Sequence, residues 1–153
     1  MSKMNLKKKE FLALLRNEIS ELPFHRLLGL TKDCFDVQNG HIQFDMRSDL
    51  VGNKYFNILH GGAIATILDT EGGFLLALNG AWNIEGDPQD NQFAFKGGTV
   101  DLRIDYLRPG KGKHFVATGT VLRSGNKVAV VRTELRDEVD ELIAIGTGTY
   151  LVG

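Results

Sequence analysis

Hydrophobic and polar residues alternate along this chain with two different periods, one helical and one typical of strands. Residues 4–22 predict an amphipathic helix that Pro23 ends, because lysines and glutamates lie opposite one apolar stripe. That stripe consists of Phe11, Leu12, Leu15, Ile19 and Leu22. Residues 63–78 are nearly uncharged and long enough for a buried helix. The remaining apolar runs are short and alternate, which predicts strands.

The strand-like runs indicate an antiparallel sheet. Asn39-Gly40 lies between runs at 30–37 and 41–46 and is a strong hairpin signal. Residues 47–57 and 83–91 are interpreted as polar loops. Four further strands, predicted to pair in chain order as a meander, cover residues 99–107, 115–122, 128–135 and 142–151. The predicted fold class is α+β, with five or six antiparallel strands around one long central helix and an N-terminal helix at 1–22.

Composition narrows the class of protein. The 153 residues are 42% hydrophobic and 24% charged, which predicts a single globular domain over 1–153. A net charge of -1 argues against nucleic-acid binding. The only cysteine, Cys34, permits no internal disulfide, so a reducing, cytoplasmic location is expected. The four histidines are far apart in the sequence, so no metal site is predicted.

Neither a targeting segment nor a membrane span is expected. Arg16, Glu18 and Glu21 interrupt the N-terminal segment, which is therefore not a signal peptide. No apolar run is judged to approach membrane-spanning length.

Candidate chemistry is concentrated in HGGAIATILDTEGG, residues 60–73. His60, Gly61 and Gly62 precede the central helix, whose start offers free N–H groups to negative charge. Asp69 follows nine residues after the histidine. On a helical wheel it shares a face of mostly small residues, comprising Gly62, Ala65, Thr66, Gly72, Gly73 and Leu76. A ligand or a second backbone can approach such a face closely, which suits an acyl-transfer site.

A structural interpretation of the same residues stays open. A single aspartate on an apolar helix is often a satisfied structural acid, and helix glycines often serve close packing. Glu71 lies about 200° around the helix from Asp69, so it is expected at an interface or at the surface.

These residues resemble the PaaI-type branch of the hotdog-fold thioesterases, and in particular the bacterial YigI-like acyl-CoA thioesterases. The resemblance covers the chain from about residue 20 to its end. It rests on HGG with an acid nine residues later, followed by a glycine pair. It also includes GTVD at 98–101, YLRP at 106–109, PF at 23–24, LLG at 27–29, VAVV at 128–131 and the closing GTGTY at 146–150.

The resemblance implies a hotdog fold and a dimer, or a dimer of dimers (a homotetramer), with sites built from two protomers. It implies that Asp69 is the general base or nucleophile and that the Gly62 N–H polarises the thioester carbonyl. His60 is interpreted either as orienting the thioester or as a capping residue. Thr99 either places substrate or water, or is an ordinary strand threonine.

One part of the family pattern is missing. Relatives commonly carry an Asn six residues before the histidine and a Gly three before it, where this chain has Lys54 and Asn57. Asn53 and Asn57 are the candidate side-chain amides, and Gly61 is a candidate backbone contact. For the coenzyme A phosphates and pantetheine, the candidates are Arg108, Arg123, Asn126 and Lys127.

The expected function is hydrolysis of an acyl-CoA thioester to a free acid and coenzyme A, within fatty acid metabolism. The YigI-like resemblance favours medium- and long-chain fatty acyl groups, whereas the PaaI-type resemblance also allows aryl acids. No cofactor, nucleic acid or integral membrane segment is expected. Two alternatives stay open: a non-catalytic acyl-CoA binding module, suggested by Lys54, and a hydratase or dehydratase, which the HGG-to-acid spacing favours less.

Overall fold

Three α-helices and ten strands follow one another in the part of the chain that the structure describes. The computed structural model describes residues 3–80, 84–85, 94–95 and 97–152, with the side chains of 9–80 and 97–152. The helices are α1 (Lys3–Glu21), α2 (Pro23–Leu27) and α3 (Gly61–Leu78). The strands are β1 (Phe35–Asp36), β2 (His41–Asp45), β3 (Val51–Asn53), β4 (Ile58–Leu59), β5 (Ile84–Glu85), β6 (Ala94–Phe95), β7 (Gly98–Tyr106), β8 (His114–Ser124), β9 (Val128–Asp137) and β10 (Leu142–Leu151).

Both predicted helices and the predicted number of sheet strands are confirmed. Six antiparallel strands pair in the order β1-β2-β8-β9-β10-β7 and pack against α3, while β3–β4 and β5–β6 form separate pairs. The predicted polar loop at 47–57 therefore contains a hairpin, β3–β4. Most of the predicted loop at 83–91 lies outside the described residues.

The predicted four-stranded meander is wrong at its first strand. Strands β8, β9 and β10 pair in chain order, but β7 pairs with β10 and not with β8. The reason is that β2 occupies the other edge of β8, with Ile42 opposite Ala117. Strand β7 therefore lies at the edge of the sheet, with one side free of partners among the described strands.

The hairpin predicted at Asn39-Gly40 is present with a longer turn. Asp36 pairs with His41, so residues 37–40 form the turn. The Asp36 carboxylate accepts hydrogen bonds from the backbone N–H groups of Gln38 and Asn39 and from the Asn39 amide, at 2.8–2.9 Å. Gly40 adopts a φ of 67°, which favours glycine. This carboxylate-centred turn replaces the expected two-residue turn, and β1 is only two residues long.

Helix α3 is the centre of the core. Its buried side chains include Ile64, Ile67, Leu68 and Phe74, and Phe74 packs edge-on against Phe35 with ring centroids 5.4 Å apart. By length and composition α3 is apolar enough to span a membrane, contrary to the sequence expectation, yet 56% of it is buried inside the fold. A buried core helix passes the same test of length and composition. Helix α1 contributes Leu15 and Ile19 to this core, so it is a packing element.

Glu71 is buried, so its predicted surface or interface position is not what the structure shows. It is 0% exposed, and within the described part of the chain neither carboxylate oxygen has a hydrogen-bond partner. The hydroxyl of Thr133 on β9 is also buried without one. Burial raises the pKa of Glu71 to about 9, opposed only by a smaller contribution from the Ile42 backbone. The helical wheel placed Glu71 away from Asp69 correctly, but it did not show that the sheet covers that side.

The buried carboxyl group predicts a pH-dependent difference in stability between the wild type and Glu71→Gln. In the unfolded chain the carboxyl ionises above its ordinary pKa of 4.5, whereas in the folded protein it stays neutral up to about 9. Between these values the unfolded state gains the charge, so wild-type stability falls by up to about 1.36 kcal/mol per pH unit. The unfolding free energy of Glu71→Gln minus that of the wild type should therefore rise by up to about 4 kcal/mol from pH 5 to pH 8. Denaturant unfolding at both pH values measures it, and parallel profiles would contradict the assignment.

Candidate active site

The start of α3 is fixed by His60, which acts as its N-cap. Its Nδ1 accepts a hydrogen bond from the Gly62 N–H at 2.8 Å, and its own backbone N–H donates to the Leu50 carbonyl at 2.7 Å. The Gly62 N–H, expected to be free, is therefore already engaged. No hydrogen bond from the Gly61 N–H occurs within the described residues, so Gly61 presents the available donor.

Asp69 lies near the middle of α3 and is held there by the edge strand. Thr99 on β7 donates its hydroxyl to Asp69 Oδ1 at 2.8 Å, so two predicted site residues meet in space. Tyr150 on β10 donates its hydroxyl to the Asp69 backbone carbonyl at 3.2 Å. Burial, followed by the nearby Asp69 charge, raises the pKa of Tyr150. Tyr150 therefore stays protonated and keeps donating this hydrogen bond at neutral pH.

The glycines near Asp69 make room for Tyr150 of the same chain. A Cβ on Gly72 would collide with the Tyr150 hydroxyl, and one on Gly148 would lie 2.6 Å from the same ring. Gly72 therefore serves packing within the chain, as the structural interpretation proposed. The half-buried Ala65 and Thr66 leave the N-terminal part of the helix face accessible.

Two spaces adjoin Asp69. An apolar pocket of about 170 Å³, partly open to solvent, is lined by Ile19, Leu22, His25, Asp69, Thr70, Gly73, Phe74, Gly98, Thr99 and Tyr150. A more open groove of about 260 Å³ is lined by Phe24, His25, Ala65, Thr66, Asp69, Thr70 and Leu102. His25, Asp69 and Thr70 border both spaces. The carboxylate thus lies where an outer groove meets an apolar pocket.

The two candidate asparagines belong to the β3–β4 turn. Asn53 is half-buried, and its Oδ1 accepts a hydrogen bond from the Tyr55 N–H at 3.0 Å. Asn57 is exposed and adopts a φ of 48°, a conformation that asparagine tolerates better than most residues. Both therefore have a local structural role that the sequence did not reveal.

The candidate coenzyme A contacts are divided between the two ends of the sheet. Arg108 pairs with Glu141 at 3.1 Å, near the end where Tyr106 donates its hydroxyl to the Gly61 carbonyl at 3.0 Å. The turn at 123–127, with Arg123, Asn126 and Lys127, lies at the other end. There Leu151 pairs with Gly98 on one side and with Val128 on the other.

One chain therefore does not bring all the predicted site residues together. Gly61 and Asp69 are eight residues apart on one helix, about 12 Å at 1.5 Å per residue. That is too far for a backbone N–H and a carboxylate to act on one carbonyl carbon. Within the described part of the chain, no three His, Cys, Asp or Glu residues are grouped to hold a metal.

Sequence reasoning missed three residues around Asp69. The only local signal for Tyr150 in the sequence is its place in the closing GTGTY motif. Thr70 and His25 gave no local signal, because 45 residues separate them in the sequence.

The fold agrees with the comparisons to known proteins. Residues 56–144 match the model of the Thioesterase superfamily, and the chain belongs to that family, which has the hotdog fold. It is 41% identical over 137 residues, 88% of each chain, to the medium/long-chain acyl-CoA thioesterase YigI of Escherichia coli strain K12. The YigI-like resemblance is thus confirmed.

Two solved structures extend the comparison. A crystal structure from Shewanella oneidensis, described as related to the thioesterase superfamily, shares 42% identity with a TM-score of 0.76 and covers 95% of this chain and 97% of that one. The BH2602 protein of Bacillus halodurans, solved with CoA, shares 28% identity with a TM-score of 0.59. This second match covers 73% of the chain and 66% of BH2602.

The capping role of His60 predicts the effect of two substitutions. His60→Ala removes the acceptor of the Gly62 N–H and should lower the unfolding free energy by about 1 kcal/mol. His60→Asn keeps a good N-cap and should lose less. Denaturant unfolding of both variants measures the effect. Equal losses for the two variants would contradict the capping role.

Proposed function

We propose that this protein hydrolyses acyl-CoA thioesters to a free acid and coenzyme A. The observation that carries the proposal is the Asp69–Thr99 hydrogen bond, located between an open groove and an apolar cavity. The groove offers the thioester a way to the carboxylate, and the cavity suits an acyl chain. Support comes from the names of the YigI relatives and from the CoA bound to the Bacillus halodurans structure.

The chemistry follows from the orientation of the carboxylate. Thr99 occupies Oδ1, which leaves Oδ2 to accept a proton from water. The water oxygen bonds to the acyl carbon, the carbon–sulfur bond breaks, and the proton passes from Asp69 to the leaving thiolate. In the alternative course, an Asp69 oxygen bonds to the acyl carbon, the carbon–sulfur bond breaks and the coenzyme A thiolate leaves. Water then hydrolyses the resulting anhydride, which regenerates the carboxylate, releases the acid and supplies the proton that the thiolate takes up. General base catalysis by a positioned carboxylate typically contributes about 10²–10⁴-fold in rate.

The complete site is proposed to need two chains. A backbone N–H that stabilises the developing oxyanion is worth about 10²–10³-fold, and the Gly61 N–H is the available donor at the helix start. It cannot reach a carbonyl at Asp69 of its own chain, because about 12 Å of helix separate them. Two α3 helices side by side and antiparallel would place the Gly61 N–H of one chain beside Asp69 of the other.

The free edge of β7 supports this arrangement. Thr99 contacts Asp69 near one end of β7, and Tyr106 contacts Gly61 at the other end. Antiparallel pairing of two β7 strands about their midpoint, Leu102, would place Thr99 opposite Asp105, next to Tyr106 of the second chain. Val100 and Tyr106 on this strand are more than half exposed. A dimer, or a dimer of dimers, would cover them and complete two sites.

The same pairing would join the divided coenzyme A contacts. Arg108 lies at the Gly61 end of the sheet, and the turn at 123–127 lies at the Asp69 end. In a two-chain site both ends meet, and the cations can bind phosphate groups. Arg123, Asn126 and Lys127 are exposed and available for this role.

The proposed substrates are medium- and long-chain fatty acyl-CoA thioesters, used in cytoplasmic fatty acid metabolism. The apolar cavity beside Phe74 and Leu22 supports a fatty acyl group. The name of the YigI relatives points to the same chain lengths. The proposed chemistry needs no metal or organic cofactor, because Asp69 and water supply both the base and the nucleophile.

A non-catalytic binding module is the second candidate. Lys54 occupies the position where relatives commonly have an asparagine, and its ammonium lies 5.8 Å from the centre of the exposed Tyr55 ring. This chain therefore has a cation on the β3–β4 hairpin where those relatives have an amide. A hydratase is less well supported, because the His60 Nδ1 already accepts the hydrogen bond that caps the helix.

A thiol-release assay tests the proposed function. Acetyl-, hexanoyl-, decanoyl-, palmitoyl- and phenylacetyl-CoA are compared with wild type and Asp69→Asn, which keeps the size of the side chain but removes the base. Wild-type hydrolysis should peak among the medium and long fatty acyl groups and fall at least about 100-fold in the variant. Full activity of Asp69→Asn would refute the mechanism. Binding of every substrate without thiol release would favour the binding module.

A further inference from the structure

We propose that the hydrogen bond between His25 and Thr70 positions the N-terminal helices as the wall of the acyl cavity and so sets acyl-chain selectivity. This inference rests on the proposed thioesterase function. His25 and Thr70 would be positioning residues, since they act through the shape of the cavity and not on the reacting atoms. We call this pair the His25–Thr70 latch.

The latch joins two parts of the chain that are distant in sequence. His25 Nδ1 lies 2.7 Å from the Ile19 carbonyl oxygen, and a carbonyl only accepts, so Nδ1 carries the proton. In the neutral ring, Nε2 then accepts the hydroxyl hydrogen of Thr70, at 3.2 Å. The ring also packs against Phe35, with centroids 5.9 Å apart. The contacts with Ile19 and Phe35 therefore fix the orientation of the His25 ring that hydrogen-bonds to Thr70 on α3.

Its location gives the latch a role in the site. His25 and Thr70 line both the outer groove and the apolar pocket that forms the acyl cavity, and Thr70 follows Asp69 directly on α3. The latch therefore lies on the boundary that an acyl chain crosses when it extends from the thioester into the cavity. The proposed mechanism does not use either residue, and neither forms an ion pair with another of the described side chains.

The latch holds apolar side chains that an acyl chain would contact. Ile19 of α1 and Leu22, which joins α1 to α2, are the apolar side chains that the N-terminal segment contributes to the cavity lining beside His25. Leu22 is 44% exposed, so packing within the chain holds it only partly. The His25 contacts fix the chain on both sides of Leu22, through the Ile19 carbonyl and through Thr70. Loss of the latch should weaken packing against long acyl groups. Acyl groups that are too short to reach Ile19 and Leu22 should be unaffected.

Thr70→Val and Thr70→Ser form a matched pair for the test. Valine keeps the size and branching of threonine but removes the hydroxyl, whereas serine keeps the hydroxyl. For decanoyl-CoA, Thr70→Val should raise KM about 5–10-fold with kcat changed less than twofold, a loss of the size expected for one hydrogen bond. Acetyl- or hexanoyl-CoA kinetics should stay within twofold of the wild type. Thr70→Ser should behave as the wild type with every substrate.

His25→Asn tests the other half of the latch. Asparagine can still donate near the Nδ1 position, but it is too short to reach Thr70. The variant should show the chain-length effect of Thr70→Val, and the double variant should show no further loss because both changes remove one contact. An equal loss for all acyl chains, a shift toward longer chains, additive effects, or Thr70→Val matching Thr70→Ser would overturn the proposal.

A binding measurement separates this inference from the proposed function. Calorimetry with decanoyl-CoA and hexanoyl-CoA thioether analogues, which cannot be hydrolysed, reports the same selectivity without turnover. If the wild type binds the analogues but hydrolyses no substrate, the thioesterase proposal fails while the latch is still tested by the ratio of the two Kd values. An active wild type with an unchanged ratio in Thr70→Val would refute the latch alone.

Discussion

The structure depends on one constraint: α3 must be covered by the sheet along most of its surface while Asp69 stays accessible. Burial of apolar side chains such as Leu68 and Phe74 provides the main driving force for this packing. The sheet ends at β7, and Thr99 on that last strand hydrogen-bonds to Asp69. The site therefore lies where coverage of the helix stops.

Asp69 and Glu71 are only two residues apart on α3, but the sheet covers them to different extents. Asp69 has a hydroxyl partner and borders open space, whereas Glu71 is enclosed and has no hydrogen-bond partner among the described residues. The burial that raises the pKa of Glu71 keeps it neutral at physiological pH. Glu71 is a cost to stability within the core, whereas Asp69 borders open space and is the proposed base.

The sequence predicted the features that depend on local periodicity. The bounds of α3, the final strands and the acid nine residues after His60 are all readable within one short window. The pairing of β7 cannot be read from one short window, because it depends on which sheet edges other strands already occupy. The engagement of the Gly62 N–H was also missed, since a capping side chain depends on its rotamer as well as on spacing. The contact between His25 and Thr70 joins distant segments and requires the folded structure.

The central claim is that one site combines Asp69 of one chain with the Gly61 N–H of another, and mixed dimers test it. Gly61→Pro removes that N–H at the first helical position, where proline is tolerated, and the extended His60 backbone is compatible with it. Each of Gly61→Pro and Asp69→Asn should be nearly inactive alone. After co-refolding in equal amounts, about one quarter of wild-type activity should return, because half of the dimers are mixed and each contains one intact site. A mixture of Asp69→Asn with the double variant should show no recovery. No recovery in the first mixture, despite mixed dimers shown by mass spectrometry, would contradict the two-chain site.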